Sequence, residues 1–202
     1  MDVVSPLRER LEGTLRAATQ VPTPPGELPL RFEIEPWNVH VLVEGELGRA
    51  ARICGGAAVF VLALMLRVQG FVARAELLPE PGRPALLATV RFAGHRSPAP
   101  QDRALPEALG HRDGDGRLTP EIRRELVRAV AVEGARLLFT NGHGVLVTSR
   151  DDPFAQVVAG QALERVTLTG ALFGVAAQWG CDVGYLLSRT LGHAQAVLRF
   201  GR

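Results

Sequence analysis

The chain reads as an α+β domain, with an antiparallel or mixed sheet flanked by helices around a long buried central helix. Three observations predict this class. The apolar period switches repeatedly between helical and strand spacing. Several strand pairs are joined by short turns, as hairpins are. Residues 53–66, between Arg52 and Arg67, are an uncharged and largely apolar run of 14 residues, the pattern of a helix buried on every side.

Residues 2–18 read as a helix, with Leu7, Leu11, Leu15 and Ala18 at helical spacing and Ser5-Pro6 as cap and first-turn proline. Residues 21–29 hold four of the 14 prolines, which excludes helix and central strand. Leu30, Phe32 and Ile34, then Trp37, Val39, Val41 and Val43, alternate with polar residues as a hairpin turning near Glu35-Pro36. His40 falls on its more polar face, so a solvated histidine is expected. Residues 47–69 read as one helix, buried either as the core of this small chain or in a subunit interface. Gly55-Gly56 within it marks either a close backbone approach or a weak first turn before Ala57.

Strands are expected at 71–78 and 86–93, a loop at 94–100 and a short helix at 103–109. An amphipathic helix at 120–133 is entered through Thr119-Pro120. Residues 136–140 and 145–148 read as strands around the turn 141–144, and 153–178 as a second long helix. A short helix at 182–190 and a strand at 194–200 complete a single domain over 1–202. No repeat of solenoid period is visible.

Composition removes several function classes. The 23 basic residues are all Arg, set against 21 acidic ones, for a net charge of +2. Arginines interleave with Glu and Asp, and aromatics make up 5% of the chain. Neither a basic footprint nor a base-stacking platform for nucleic acid follows. Cys54 and Cys181 lie in apolar runs, as reduced buried thiols do. The charged N-terminus does not read as a signal peptide. The 14-residue apolar run is shorter than the roughly 17 residues of a membrane span. A soluble, cytoplasmic protein is expected.

Residues 111–122 (HRDGDGRLTPEI) look like a calcium loop, with Asp113, Asp115 and Gly116 in place. His111 and Ile122 stand where the first carboxylate and the closing bidentate Glu are required, so the segment reads as a polar turn before a capped helix. The five histidines, at 40, 95, 111, 143 and 193, have no metal spacing, and no nucleophile or phosphate-loop motif is present. No metal site and no catalytic residue follow from the residues.

Three segments together carry a resemblance. Residues 53–71 (ICGGAAVFVLALMLRVQGF), 157–176 (VVAGQALERVTLTGALFGVA) and 192–202 (GHAQAVLRFGR) resemble, in order, the buried helix, the Ala-Gly-Gln-Ala-Leu-Glu-Arg helix and the closing strand of the nitroreductase-like FMN flavoprotein family, in its actinobacterial Acg-type branch. The stretches 29–32 and 133–137 add weaker matches. The resemblance implies a homodimer or an internally duplicated pseudo-dimer, FMN where two halves meet, and NAD(P)H as reductant. Carried onto matching positions, it implies Thr23 as a ring donor, Arg112 as a phosphate fork, and Gly174, Val175 and Ala176 as a close backbone approach to the flavin edge.

The departures are specific. Gly26 and Leu28 replace the amide donors of the first flavin motif. Asp113 and Asp115 stand beside Arg112 and would repel a phosphate. A turn replaces the insertion between Leu138 and Val145. Two functions are expected: an FMN-dependent NAD(P)H oxidoreductase of nitroreductase type with an open, pared-down site, or a non-catalytic relative serving as a flavin-sequestering, partner or structural dimer subunit.

Overall fold

The computed structural model describes residues 4–21, 30–140, 143–180 and 192–201. From the N-terminus the elements are α1 (Val4–Thr19), β1 (Leu30–Glu35), β2 (Asn38–Val43), α2 (Arg49–Val68), β3 (Val72–Leu77), β4 (Leu86–Ala93), α3 (Pro100–Ala104), a 3-10 turn (Leu105–Ala108), α4 (Pro120–Val132), β5 (Arg136–Thr140), β6 (His143–Thr148), α5 (Pro153–Leu172), β7 (Ala177–Gly180) and β8 (His193–Phe200). The α+β class is as expected. Its strands form two four-stranded sheets, ordered β1-β2-β4-β3 and β5-β6-β8-β7, and every pairing in them is antiparallel.

The two sheets are one design used twice. Each half runs helix, hairpin, long helix, two strands. In the first sheet Glu35, Asn38, Arg91 and Arg74 face one another across four strands; in the second Thr140, His143, Arg199 and Gln178 do. The register slips after Val41 in the first and after Leu146 in the second, the same distance into β2 and β6. Helices α2 and α5 each have 20 residues. Each ends on a glycine with positive φ, Gly70 at 91° and Gly174 at 69°. Beyond each glycine the next N–H reaches back to the last helical turn, Phe71 to Leu66 O at 3.0 Å and Val175 to Gly170 O at 2.9 Å, the Schellman closure. The internally duplicated architecture implied by the resemblance is therefore present within one chain.

The halves join where α2 crosses α5. A Cβ on Gly56 would lie 2.0 Å from Val157 O, and one on Gly160 2.0 Å from Ile53 O. Each helix thus opens a notch for the other's backbone, related by a pseudo-two-fold axis. Of the two readings of Gly55-Gly56, close backbone approach holds for Gly56, and the helix begins well before Ala57, at Arg49. The cores also interpenetrate. Leu168 of α5 belongs to the core of the first half, and Ile53 of α2 to that of the second. A polar network at the helix starts adds to the seam. Arg49 donates to Asp151 Oδ2 at 2.8 Å, to Gln195 Oε1 at 3.0 Å and to Ala194 O at 2.9 Å, and Arg52 donates to Gln156 Oε1 at 3.0 Å.

Helix α2 is long and apolar enough to cross a membrane by length and composition, more so than its 14-residue run indicated, but 78% of that stretch is buried inside the chain. It packs on α1, on β2, β3 and β4, and on α5. Its apolar run 53–66 is buried within the chain except at Met65, so the core-helix alternative accounts for its composition.

Several local expectations are corrected. The second long helix stops at Leu172 rather than 178, because Gly174 turns the chain left-handed, and Ala177–Gly180 pairs with β8 as a strand. The helix expected at 103–109 is α3 followed by a 3-10 turn, broken around Pro106. His40 is not solvated: its side chain is 15% exposed, with Nδ1 2.9 Å from Thr89 Oγ1 and Nε2 3.2 Å from Glu35 Oε1. Cys54 is buried. The helix expected at 182–190, Cys181 and Asn141-Gly142 lie outside the described residues.

Candidate functional site

The linker between the halves, residues 94–119, carries the DGDG segment to the end of α5. Gly116 donates its N–H to Gly174 O at 2.9 Å, and Asp115 bridges Val175 in antiparallel fashion. A Cβ on Gly114 would lie 2.0 Å from Gly174 O, and one on Gly116 2.7 Å from it. The glycines that gave the segment its calcium-loop look are thus needed for close packing of the linker on a helix end. Thr119 caps α4 as expected, its Oγ1 accepting from the Ile122 N–H at 3.4 Å.

This packing forms one wall of an open cleft of about 930 Å3. Asp113, Gly114 and Asp115 line that wall. His143, Arg199 and Gln178 line the cleft as well, and they are the cross-strand row of β6, β8 and β7. Ala176, Phe200 and Gly201 close the end, with Gly201 N–H donating to Ala176 O at 3.0 Å. The sheet thus supplies a guanidinium, an imidazole and an amide, and the linker supplies two carboxylates. Arg199 is exposed, and among the described residues its side chain makes no ion pair.

Arg112, the expected phosphate fork, is committed elsewhere. Its Nη1 and Nη2 donate to Glu164 Oε2 at 3.1 Å and Oε1 at 2.7 Å. The Arg112 side chain is 19% exposed and that of Glu164 1%. Burial pushes the Glu164 carboxyl above the usual carboxylate range, opposed by the hydrogen bonds and charge of Arg112. A bidentate pair closed over a buried carboxylate fixes the linker rather than offering a free fork. Of the other expected residues, Ala176 lines the cleft, while Val175 is buried behind it and the Gly174 carbonyl is taken by Gly116. Thr23 lies outside the described residues.

Sequence reasoning did not single out His143, Gln178 or Arg199. Arg199 lay within the resembling closing strand, but only sheet register brings the three into one row. No group of three or more metal-ligating side chains occurs among the described residues.

The cleft fits FMN in part. Its volume is in the range of cofactor sites. For the phosphate it offers Arg199, with Asp113 and Asp115 opposing. One such charge at ~6 Å costs roughly 3 kcal/mol at an effective dielectric near 20, before screening. The arrangement suits a weakly held, salt-sensitive dianion.

No family model matches the chain, and no curated protein matches it. Among solved structures, a Thermotoga maritima protein described as a "putative nitroreductase" matches with a TM-score of 0.55 and 16% identity, covering 98% of this chain and 84% of that one. At that identity the likeness concerns the fold alone: the chain has a nitroreductase-like α+β fold.

Proposed function

We propose that the chain is an FMN-dependent NAD(P)H oxidoreductase of nitroreductase type with an open site. The observation that carries this reading is the row His143–Arg199–Gln178 lining a cofactor-sized cleft together with Asp113, Gly114 and Asp115 of the linker. Arg199 holds the phosphate, the Gln178 amide serves the polar edge of the ring, and the cleft between sheet row and linker admits the ring. FMN, when bound, supplies hydride or electron transfer with NAD(P)H as reductant. The protein's part is to bind and orient it. Arg112 acts through Glu164 by fixing the linker wall, Gly174, Val175 and Ala176 form the backing of the cleft, and Thr23 serves as a hydroxyl donor from the proline-rich segment. A cytoplasmic setting belongs to the same proposal, supported by the buried thiol of Cys54. So does a homodimer, for which the family resemblance is the support, since α2 is covered within the chain.

A second reading, a non-catalytic flavin-sequestering, partner or structural dimer subunit, is favoured by one observation. The expected phosphate fork is closed on Glu164, with two carboxylates beside the site. Titration of the protein with FMN, followed by flavin fluorescence at low and high salt, tests both. The oxidoreductase reading expects saturable binding that weakens with salt and falls at least tenfold in Arg199→Ala. Absence of saturable binding at high micromolar FMN removes it and leaves a structural role.

A further inference from the structure

The first half carries a cleft of its own at the corresponding place, just beyond Gly70 as the first cleft lies just beyond Gly174. It measures about 300 Å3, and its charged lining is Arg67, Arg74, Arg96 and Asp102. Asp102 is occupied by Arg67, 3.4 Å from its Nε. Arg74 and Arg96 are exposed, and among the described residues neither side chain has a carboxylate partner. At the surface Arg31, Arg83, Arg91, Arg124, Arg128 and Arg150 are ion-paired, whereas Arg117, Arg123 and Arg199, like Arg74 and Arg96, have no ion pair among the described residues.

The cleft is also preformed. The Arg96 N–H donates to Gly70 O at 2.7 Å, the counterpart of Gly116 on Gly174. His95 stacks on Phe71 with centroids 5.6 Å apart, and Phe71 meets Phe92 edge-on at 5.5 Å. Arg103 Nε donates to Pro98 O at 3.2 Å, holding the far rim. Phe71, Val72 and Pro98 give the cleft an apolar side next to its two unpaired guanidiniums. Guanidinium forks match the oxygens of a phosphate, and a neighbouring apolar surface matches the organic part of an ester.

We propose that this arginine-lined cleft binds a small phosphate monoester, with Arg74 and Arg96 on the phosphate and the organic part against Phe71 and Pro98. The site is separate from the Arg199 cleft and does not depend on flavin binding there. At about 300 Å3 it lies at the lower end of small-molecule sites, which limits the ligand to mononucleotide size or below.

Calorimetric titration of the whole chain with adenosine monophosphate and, separately, with inorganic phosphate tests the proposal. The expected result is saturable binding of the nucleotide, at least tenfold tighter than inorganic phosphate, and weakened at least tenfold in Arg74→Ala/Arg96→Ala. The charge-matched control Arg124→Ala/Arg128→Ala, on exposed α4 side chains, is expected to change affinity less than twofold. Both variants alter exposed side chains and keep the fold, which their thermal transitions verify. Equal affinity for the two probes would overturn the ester assignment and leave a free-phosphate site. No saturable binding of either, or equal weakening in the control, would overturn the site altogether. Arg199→Ala is expected to leave nucleotide binding here unchanged, which separates this result from the flavin titration.

Discussion

Arg112 and Glu164 show how a residue type can be read correctly while its partner stays hidden. Arg112 stands in the motif-matched position, and Glu164 lies in the Ala-Gly-Gln-Ala-Leu-Glu-Arg block, 52 positions away in sequence. Nothing local announces that a helix glutamate will turn inward and take both guanidinium nitrogens. Arg112→Ala leaves a buried carboxylate without its cation, and we expect a loss of about 3 kcal/mol at neutral pH by chemical denaturation. Because burial raises the Glu164 value above the ordinary 4.5, the folded state holds more protons than the unfolded one between those two values. This group's contribution is full below the unfolded value and is lost as pH rises through the folded one. Removing Arg112 raises the folded value further, so the deficit of Arg112→Ala relative to wild type is expected to shrink on acidification.

At the scale of elements, the crossing of α2 and α5 governs the seam. Gly56→Ala would gain up to about 1 kcal/mol of helix propensity, but its methyl would meet the Val157 carbonyl. A backbone oxygen cannot swing aside, so a net loss of about 2 kcal/mol or more is expected. Gly13→Ala is the internal contrast. It sits at an exposed position of helix α1 where an added methyl would meet nothing within 4 Å, and should gain about 0.5–1 kcal/mol. Thermal unfolding of the two variants should therefore move in opposite directions. Leu64→Arg tests the burial of α2. Leu64 is fully buried within the chain, so the variant is expected to lose its cooperative transition rather than persist as a folded, dissociated monomer.

Those elements were unevenly legible. Residues 86–93 and 136–140 were placed correctly as strands, the latter by the turn signal after it, and α4 by its cap and proline. The end of α5 was missed because Leu172, Phe173, Val175 and Ala176 continue an apolar pattern. The left-handed turn at Gly174 then outweighs periodicity. His40 was misplaced because its partners, Thr89 and Glu35, come from a strand pairing that alternation alone does not specify.

For the whole molecule, the duplication was invisible as a sequence repeat. Besides register, helix length and the placement of a few glycines, the halves share some side chains at matched positions, among them Arg91 with Arg199, Phe92 with Phe200 and Ala73 with Ala177, while others differ: Arg74 answers Gln178, Asn38 answers His143 and Phe71 answers Val175. That divergence gives the two clefts opposite characters. One has two unpaired guanidiniums; the other sets two carboxylates against an arginine and a histidine. The fold class could be read from periodicity and resemblance, whereas the His143–Arg199–Gln178 row exists only once three strands pair. The decisive experiment is anaerobic addition of NADH or NADPH to the FMN-loaded protein, with the flavin's visible absorbance followed over time. Rapid bleaching of bound flavin is expected, slowed in Arg199→Ala when FMN is subsaturating and restored at higher FMN. Bound flavin that stays oxidised with either nicotinamide would contradict the oxidoreductase reading.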